Sequence, residues 1–186
     1  MLKFTYLRTP LYRYTFRNKK IRKWVESHVE GKVLNLFAGK YRLNCDEVRN
    51  DIREDMDADY HMDALDFVKY WSCVVNAYEG EKFGTIILDP PYAYRKSMEM
   101  YDGALSSRFN QVKNEIQKIL RPNGIVITFG YHSNSMGKKR GYEQEHILLM
   151  SHGGAIHDTI AIIERKDDGI TKEEIGVFFN RIGKNR

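Results

Sequence analysis

Cysteine is nearly absent: the 186-residue chain carries two, Cys45 and Cys73. Two thiols cannot build a disulfide scaffold and are too few for a self-contained zinc site. The expectation is a reducing, intracellular setting and no metal. Proline is scarce at four residues, and no Gly/Ser-rich stretch interrupts the chain, so nothing marks a boundary between domains. One domain over residues 1–186 is expected. Long apolar runs are missing as well. None approaches the ~20 residues of a membrane span, and the first residues lack the apolar stretch of a signal peptide, so no membrane partner is expected. Acid is missing from the start of the chain: residues 1–25 hold eight Lys or Arg and no Asp or Glu. Residues 46–66 show the reverse, nine acids against Arg49 and Arg53. A net charge of +5 therefore hides a basic segment beside an acidic one, and two segments of opposite sign call for two different ligands.

Hydrophobic residues make up 42% and charged residues 30%, the balance of a chain that folds around a core. Met1 to about Asn18 reads as irregular, with Pro10 breaking any helix. Lys19–His28 has Ile21, Trp24, Val25 and His28 at helical spacing, and Gly31 ends it. Lys32–Phe37 is a short apolar strand stopped by Ala38-Gly39. Glu47–Ile52 and Tyr60–Asp63 are two weaker strands. Ala64–Ala77 reads as a helix, Phe83–Leu88 as the clearest buried strand, and Ser106–Leu120 as an amphipathic helix closed by Pro122-Asn123-Gly124. Ile125–Phe129 is another buried strand, and His146–Met150 with Thr159–Glu164 form a closing pair. Strands alternating with helices, followed by strands alone, predict an α/β fold. Its sheet is expected to be mainly parallel with an antiparallel edge strand. Ligands of such sheets sit at the carboxyl ends of the strands, which gathers Ala38-Gly39, Asp51, Asp63 and Asp89–Tyr92 into one candidate site.

Asp89-Pro90-Pro91-Tyr92 follows the continuous apolar strand. Prolines there end ladder pairing and stiffen the backbone, so an acid, a rigid Pro90 carbonyl and an aromatic face leave the sheet edge together. Such a set suits an exocyclic amine on a nucleobase, a poor nucleophile because its lone pair is delocalised into the ring. Two acceptors on its two N–H bonds, the Asp89 carboxylate and the Pro90 carbonyl, draw the nitrogen towards sp³ geometry and stabilise the charge that grows during attack. Tyr92 can stack on the base and orient it.

With these residues the chain resembles the class I S-adenosylmethionine-dependent methyltransferases of the amino-methylating type, which act on adenine N6 or cytosine N4. Their D/N/S-P-P-Y/F/W tetrapeptide corresponds to Asp89–Tyr92, and their FxG cofactor loop to Asn35-Leu36-Phe37-Ala38-Gly39. The resemblance spans about residues 32–165. It implies a Rossmann-like methyltransferase fold with a seven-stranded sheet and helices on both faces. It also implies S-adenosylmethionine as cofactor, held by Asn35, Phe37, Ala38 and Gly39, by Asp51 on the ribose hydroxyls with Glu47 and Asp55 as competitors, and by Asp63 with Ala64 at the adenine. The cofactor is cationic at sulfonium and ammonium, which agrees with the acidic 46–66 segment. Tyr41 stands where the family has its second loop glycine, and about 13 residues separate Phe37 from Asp51. The first crossover helix is therefore expected to be shortened or absent.

On the substrate side, three basic groups could meet a nucleic acid: Arg13, Arg17, Lys19 and Lys20 in the N-terminal segment; Arg95 and Lys96 after the tetrapeptide; and Lys138, Lys139 and Arg140 after Ile125–Phe129. A base in a duplex must be flipped out to reach such a pocket. The chain has no room for a separate target-recognition domain, so short loops or a partner chain would supply recognition. The expectation is a cytoplasmic methyltransferase of a prokaryotic or viral setting acting on adenine N6, with DNA favoured over RNA. Cytosine N4 methylation, RNA base methylation and a methyltransferase-like nucleic-acid-binding subunit are the alternatives.

Overall fold

Continuous apolar runs and helical stripes decide this architecture, seen in a computed structural model that describes residues 1–78, 81–90, 105–133, 135–154 and 156–167. The elements are β1 (Lys3–Arg8), α1 (Lys19–Glu26), β2 (Val33–Asn35), β3 (Glu47–Arg49), α2 (Ala64–Tyr78), β4 (Phe83–Leu88), α3 (Leu105–Glu115), β5 (Leu120–Gly130), β6 (Tyr142–Ser151) and β7 (Thr159–Lys166). They form one seven-stranded sheet in the order β1-β6-β7-β5-β4-β2-β3. β3, β2, β4 and β5 run parallel, β7 is antiparallel to both β5 and β6, and β1 runs parallel to β6. The reversed strand thus lies inside the sheet, between β5 and β6, and not at its edge.

Side chains alternate across the central strands as the pleat demands. Leu34, Ile86, Leu88 and Val126 pack with Leu65, Phe67 and Val68 of α2 and Val112 of α3. Val33, Ile87, Ile125 and Ile127 pack on the other face with Ile21 and Val25 of α1. Asn18 caps α1, its Oδ1 accepting from the Lys20 amide at 3.0 Å. At each of these core positions a polar substitution would bury an unpartnered group.

Three details differ from the sequence reading, and one open alternative is decided. Residues 3–8 form an edge strand, because the β6 ladder supplies partners that a local reading cannot see. Between Asn35 and Glu47 no helix forms, so the first crossover helix is absent rather than shortened. The expected strand at Tyr60–Asp63 shrinks to a single parallel bridge between Asn50 and Tyr60. The Pro122-Asn123-Gly124 stretch lies within β5, where the register against β4 breaks and Asn123 has φ 56°.

Gly84 is the tightest point of the sheet, since a Cβ there would stand 2.0 Å from the Glu30 carbonyl oxygen and 3.1 Å from Arg121 Cζ. The backbone itself would have to move. Gly84→Ala should therefore cost at least the roughly 1–3 kcal/mol of a core overpacking change, read as a lowered thermal midpoint. An unchanged midpoint would refute the crowding.

At the amino-terminal edge His146 is buried. It meets His28 Nε2 at 3.1 Å and Thr5 Oγ1 at 2.8 Å. Burial, then His28 and Lys3, push its pKa below the ordinary histidine value. The unfolded chain therefore binds this proton more readily than the folded one, and stability should fall as pH drops below about 6.5. Comparing thermal midpoints at pH 7.5 and 5.5 tests this. A His146→Gln variant should show a smaller drop than the parent, and an equal drop would clear His146 of the effect.

Candidate active site

Register aligns the carboxyl ends of four neighbouring strands. Asn35 pairs with both Arg49 and Ile87, and Leu88 pairs with Thr128. The loops that follow β2, β3 and β4 therefore open at one level on the same edge, strands about 4.8 Å apart. The Leu36 amide donates to the Ile87 carbonyl at 3.1 Å, and the Ala38 amide to the Asn50 carbonyl at 3.0 Å. The β2 loop is thus laced to both neighbours before it turns.

That turn is closed by Asp51 and Arg49. Asp51 Oδ2 accepts from the Gly39 amide at 2.9 Å, and Oδ1 from the Arg53 amide at 3.0 Å. Gly39 takes φ 60°, a conformation glycine adopts without penalty. A Cβ there would meet only Tyr14 Cδ1, at 3.6 Å, so the residue is selected by its backbone angle more than by space. Arg49 is fully buried. Its guanidinium donates to the carbonyls of Ala38 (3.2 Å), Gly39 (2.9 Å), Tyr41 (3.1 Å) and Asp57 (2.6 Å), and to Glu47 Oε1 at 2.8 Å. One side chain therefore fixes the whole turn. The sequence reading counted Arg49 only as a charge, and its sole signal was a cation at the end of a strand facing a glycine loop.

Asn35 is buried beneath this loop, with Nδ2 donating to Glu47 Oε2 at 3.3 Å, so it supports the turn from below. Ala38 is buried. Phe37 is half-buried and packs edge-on against Phe109, ring centroids 6.2 Å apart. Asn50 is buried as well. It ties the segments together, donating to the Met62 carbonyl at 3.0 Å and accepting from the Met62 amide at 3.2 Å.

Asp63 begins α2, just before Ala64. Its Oδ1 caps the helix, accepting from the Leu65 amide at 3.0 Å. The same oxygen accepts from Arg108 at 3.2 Å, a residue on α3 that the sequence reading passed over. Both contacts fall on Oδ1, which leaves Oδ2 for a further donor. Burial, then Glu47, pushes the thiol of Cys45, next to β3, up to about 11, which disfavours its thiolate.

β4 delivers Asp89, half-buried, and Pro90, buried, to this same edge. Pro91 and Tyr92, and with them Arg95 and Lys96, lie outside the described residues. The N-terminal group is brought to the site. Arg8 ends β1 opposite Ser151, the chain crosses the carboxyl edge, and Tyr14 reaches Gly39 and Tyr41, its ring centroid 6.1 Å from that of Tyr41. Arg13, Arg17, Lys19 and Lys20 are exposed along this crossing. Lys138, Lys139 and Arg140 are not brought there. They precede Tyr142, which pairs with Lys166, whereas Gly130 at the site edge pairs with Ile160. Six residues of strand, about 20 Å, separate the two levels. Arg140 also holds its own turn, donating to Asn114 at 2.8 Å and to the Met136 carbonyl at 3.1 Å.

No protein-family model matches the sequence, and no curated protein does. Solved structures do. The N-methyltransferase NodS from Bradyrhizobium japonicum superposes with TM-score 0.54 at 10% identity, over 84% of this chain and 99% of that one. The fold is the Rossmann-like methyltransferase fold. A Streptococcus mutans protein assigned as a SAM-dependent methyltransferase gives 0.51 at 16% identity, over 78% of this chain and 48% of that one. The chain thus spans about half the length of that structure. The 1,6-didemethyltoxoflavin-N1-methyltransferase of Burkholderia thailandensis, bound to 1,6-didemethyltoxoflavin and S-adenosylhomocysteine, gives 0.50 at 12% identity, over 81% and 78%. Among the described residues no helix is long and apolar enough to cross a membrane.

The residues present suit a cationic nucleoside cofactor. Each Asp51 oxygen has one backbone donor and keeps lone-pair capacity for a ribose diol. Asp63 Oδ2 can take an amino donor, and Gly39 leaves the turn bare for a close approach.

Proposed function

We propose that this chain transfers a methyl group from S-adenosylmethionine to the exocyclic amino group of a nucleic acid base, adenine N6 in DNA before the alternatives. The observation that carries the reading is the emergence of Asp89 and Pro90 from a fully buried strand, level with the glycine turn that Asp51 closes. The cofactor, when bound, supplies an electrophilic methyl group. Asp51 and Asp63 hold its nucleoside half, and Gly39 admits its backbone-hugging half. Asp89 and the Pro90 carbonyl accept the two N–H bonds of the target amine, turn its lone pair outward and stabilise the positive charge that develops on nitrogen. Once the amine is alkylated, the Asp89 carboxylate is the nearest acceptor for its surplus proton. By the resemblance, Tyr92 stacks on the base and holds it in line.

Arg13, Arg17, Lys19 and Lys20 would meet phosphates beside the site. Lys138, Lys139 and Arg140, about 20 Å down the sheet, would meet the same strand only several nucleotides away. A partner chain could add target recognition. A second reading, a methyltransferase-like subunit that binds nucleic acid for a partner enzyme, draws on the ion pair between Asp63 and Arg108 and on Tyr41 in the loop.

Labelled cofactor with separate DNA and RNA pools tests the assignment, followed by digestion to nucleosides. Label on N6-methyladenine from DNA is the expected result. Label on cytosine N4 or on RNA would replace the substrate, and binding without transfer would favour the subunit. Neutralising Arg13, Arg17, Lys19 and Lys20 together should lower the salt slope of nucleic acid binding by about 3, near 0.7–0.9 per phosphate contact. An unchanged slope would mean that these cations are only a solvated surface.

A further inference from the structure

β1 carries an exposed aromatic face that the active site does not use. It is the terminal strand of the sheet, and Phe4 and Tyr6 are 64% and 58% exposed. Their register partners are Ile147 and Leu149 of β6, so the pleat puts all four on one face. Leu7, of opposite parity, packs into the core on the α1 side. Among the described residues no helix covers the Phe4–Tyr6 face. Folding does not explain it, since large aromatics in the open cost solubility and contribute little burial.

The surroundings of this face are cationic. Arg8 shares the parity of the aromatics on the same strand, within a segment of 25 residues that has eight cations and no acid. The pattern continues past the strand: Arg17 lies over the Tyr12 ring at 5.2 Å, and Arg13 over the Tyr14 ring at 5.6 Å. Tyr14 in turn touches the Gly39 turn. Aromatic faces interleaved with cations therefore run from Phe4 to the edge that holds Asp89.

We infer that this stripe is a track for single-stranded nucleic acid, with bases stacked on Phe4 and Tyr6 and phosphates on Arg8, Arg13 and Arg17, leading the strand into the active site. The inference rests on the nucleic-acid reading of that site and narrows its substrate to an unpaired strand. Exposed aromatics on a sheet surface bind any base by its π-face, and the surrounding charge tracks the backbone. An unpaired base also reaches the site without the cost of flipping.

The test uses the full chain, a fluorescent 20-mer of deoxythymidine and an abasic 20-mer of equal charge. Both side chains are exposed, so F4A/Y6A should keep the parental thermal midpoint. The variant should bind the thymidine 20-mer at least tenfold more weakly, with an unchanged salt slope and unchanged affinity for the abasic strand. Equal weakening on both strands, or none, overturns the track. So does a parent that prefers a duplex 20-mer, or a variant that changes only its oligomeric state, which would give the face to a protein partner. Methyl transfer is scored separately with labelled cofactor. Aromatic-dependent binding without transfer overturns the enzyme and leaves the track standing.

Discussion

Asp89→Ala should abolish methyl transfer while leaving cofactor affinity nearly unchanged. The carboxylate stands where β4 ends, one residue before a buried proline whose ring stiffens the turn. On the proposed reading, its interaction is stronger in the transition state than in the ground state: the amine would be neutral before attack and cationic during it, so an anion at hydrogen-bond distance would lower the barrier itself. Removing one such preorganised group costs about 10²–10³ in rate. Single-turnover transfer with labelled cofactor should fall by at least that factor. Dialysis should report unchanged cofactor binding, because Asp51, Asp63 and Gly39 are untouched. Asp89→Asn keeps an acceptor oxygen but no charge, and its rate should fall between the two. If Asp89→Ala retains more than a tenth of the parental rate, the acid is not the group that activates the amine. If it loses cofactor affinity equally, Asp89 belongs to the cofactor side.

The central sheet could be read from the chain because its strands are buried on both faces and stay apolar throughout. Phe83–Leu88 has all six residues buried, and no helical stripe competes with it. The helices on either side announce themselves by spacing, Ile21 and Val25 on one face and Leu65 and Val68 on the other. β1 escaped because it is held by one neighbour only. Its outward residues are Phe4 and Tyr6, so hydrophobic alternation points the wrong way, and Pro10 suggested irregular chain. Tyr60–Asp63 errs the other way: its pattern suggests a strand, and the fold uses a single bridge. Asp51 and Asp63 read from the sequence as acids at strand ends, and in the fold each has a structural duty, closing the glycine turn or capping α2. A cap and a ligand contact use the same carboxylate, so the sequence cannot separate the two. Lys138–Arg140 lie away from the site edge because β5 and β6 run in the same direction with β7 between them. The chain that joins them must return to the opposite edge, and that shared direction is a property of the sheet and not of the segment.

Arg49 shows where charge counting fails. In the sequence it merely offsets one of nine neighbouring acids, but in the fold it is the largest of the fully buried side chains. Its partner Glu47 is nearly as buried, the two side chains 0% and 3% exposed. Removing one member leaves a charge stranded in a low-dielectric site, a loss of about 3–5 kcal/mol. Arg49→Met should therefore lower unfolding free energy by that much in urea titrations. Glu47→Gln in the same background should recover part of it, since the stranded charge is gone. Recovery cannot be complete, because the carbonyls of Ala38, Gly39, Tyr41 and Asp57 still lack their donor. The residual loss measures how far the guanidinium holds the turn rather than merely neutralising an acid. It should come with weakened cofactor binding even where the variant remains folded, since the Gly39 turn and the Asp51 carboxylate are positioned together. A loss below 1 kcal/mol, or full recovery by Glu47→Gln, would reduce Arg49 to a counter-ion and leave the turn to be held by Asp51 alone.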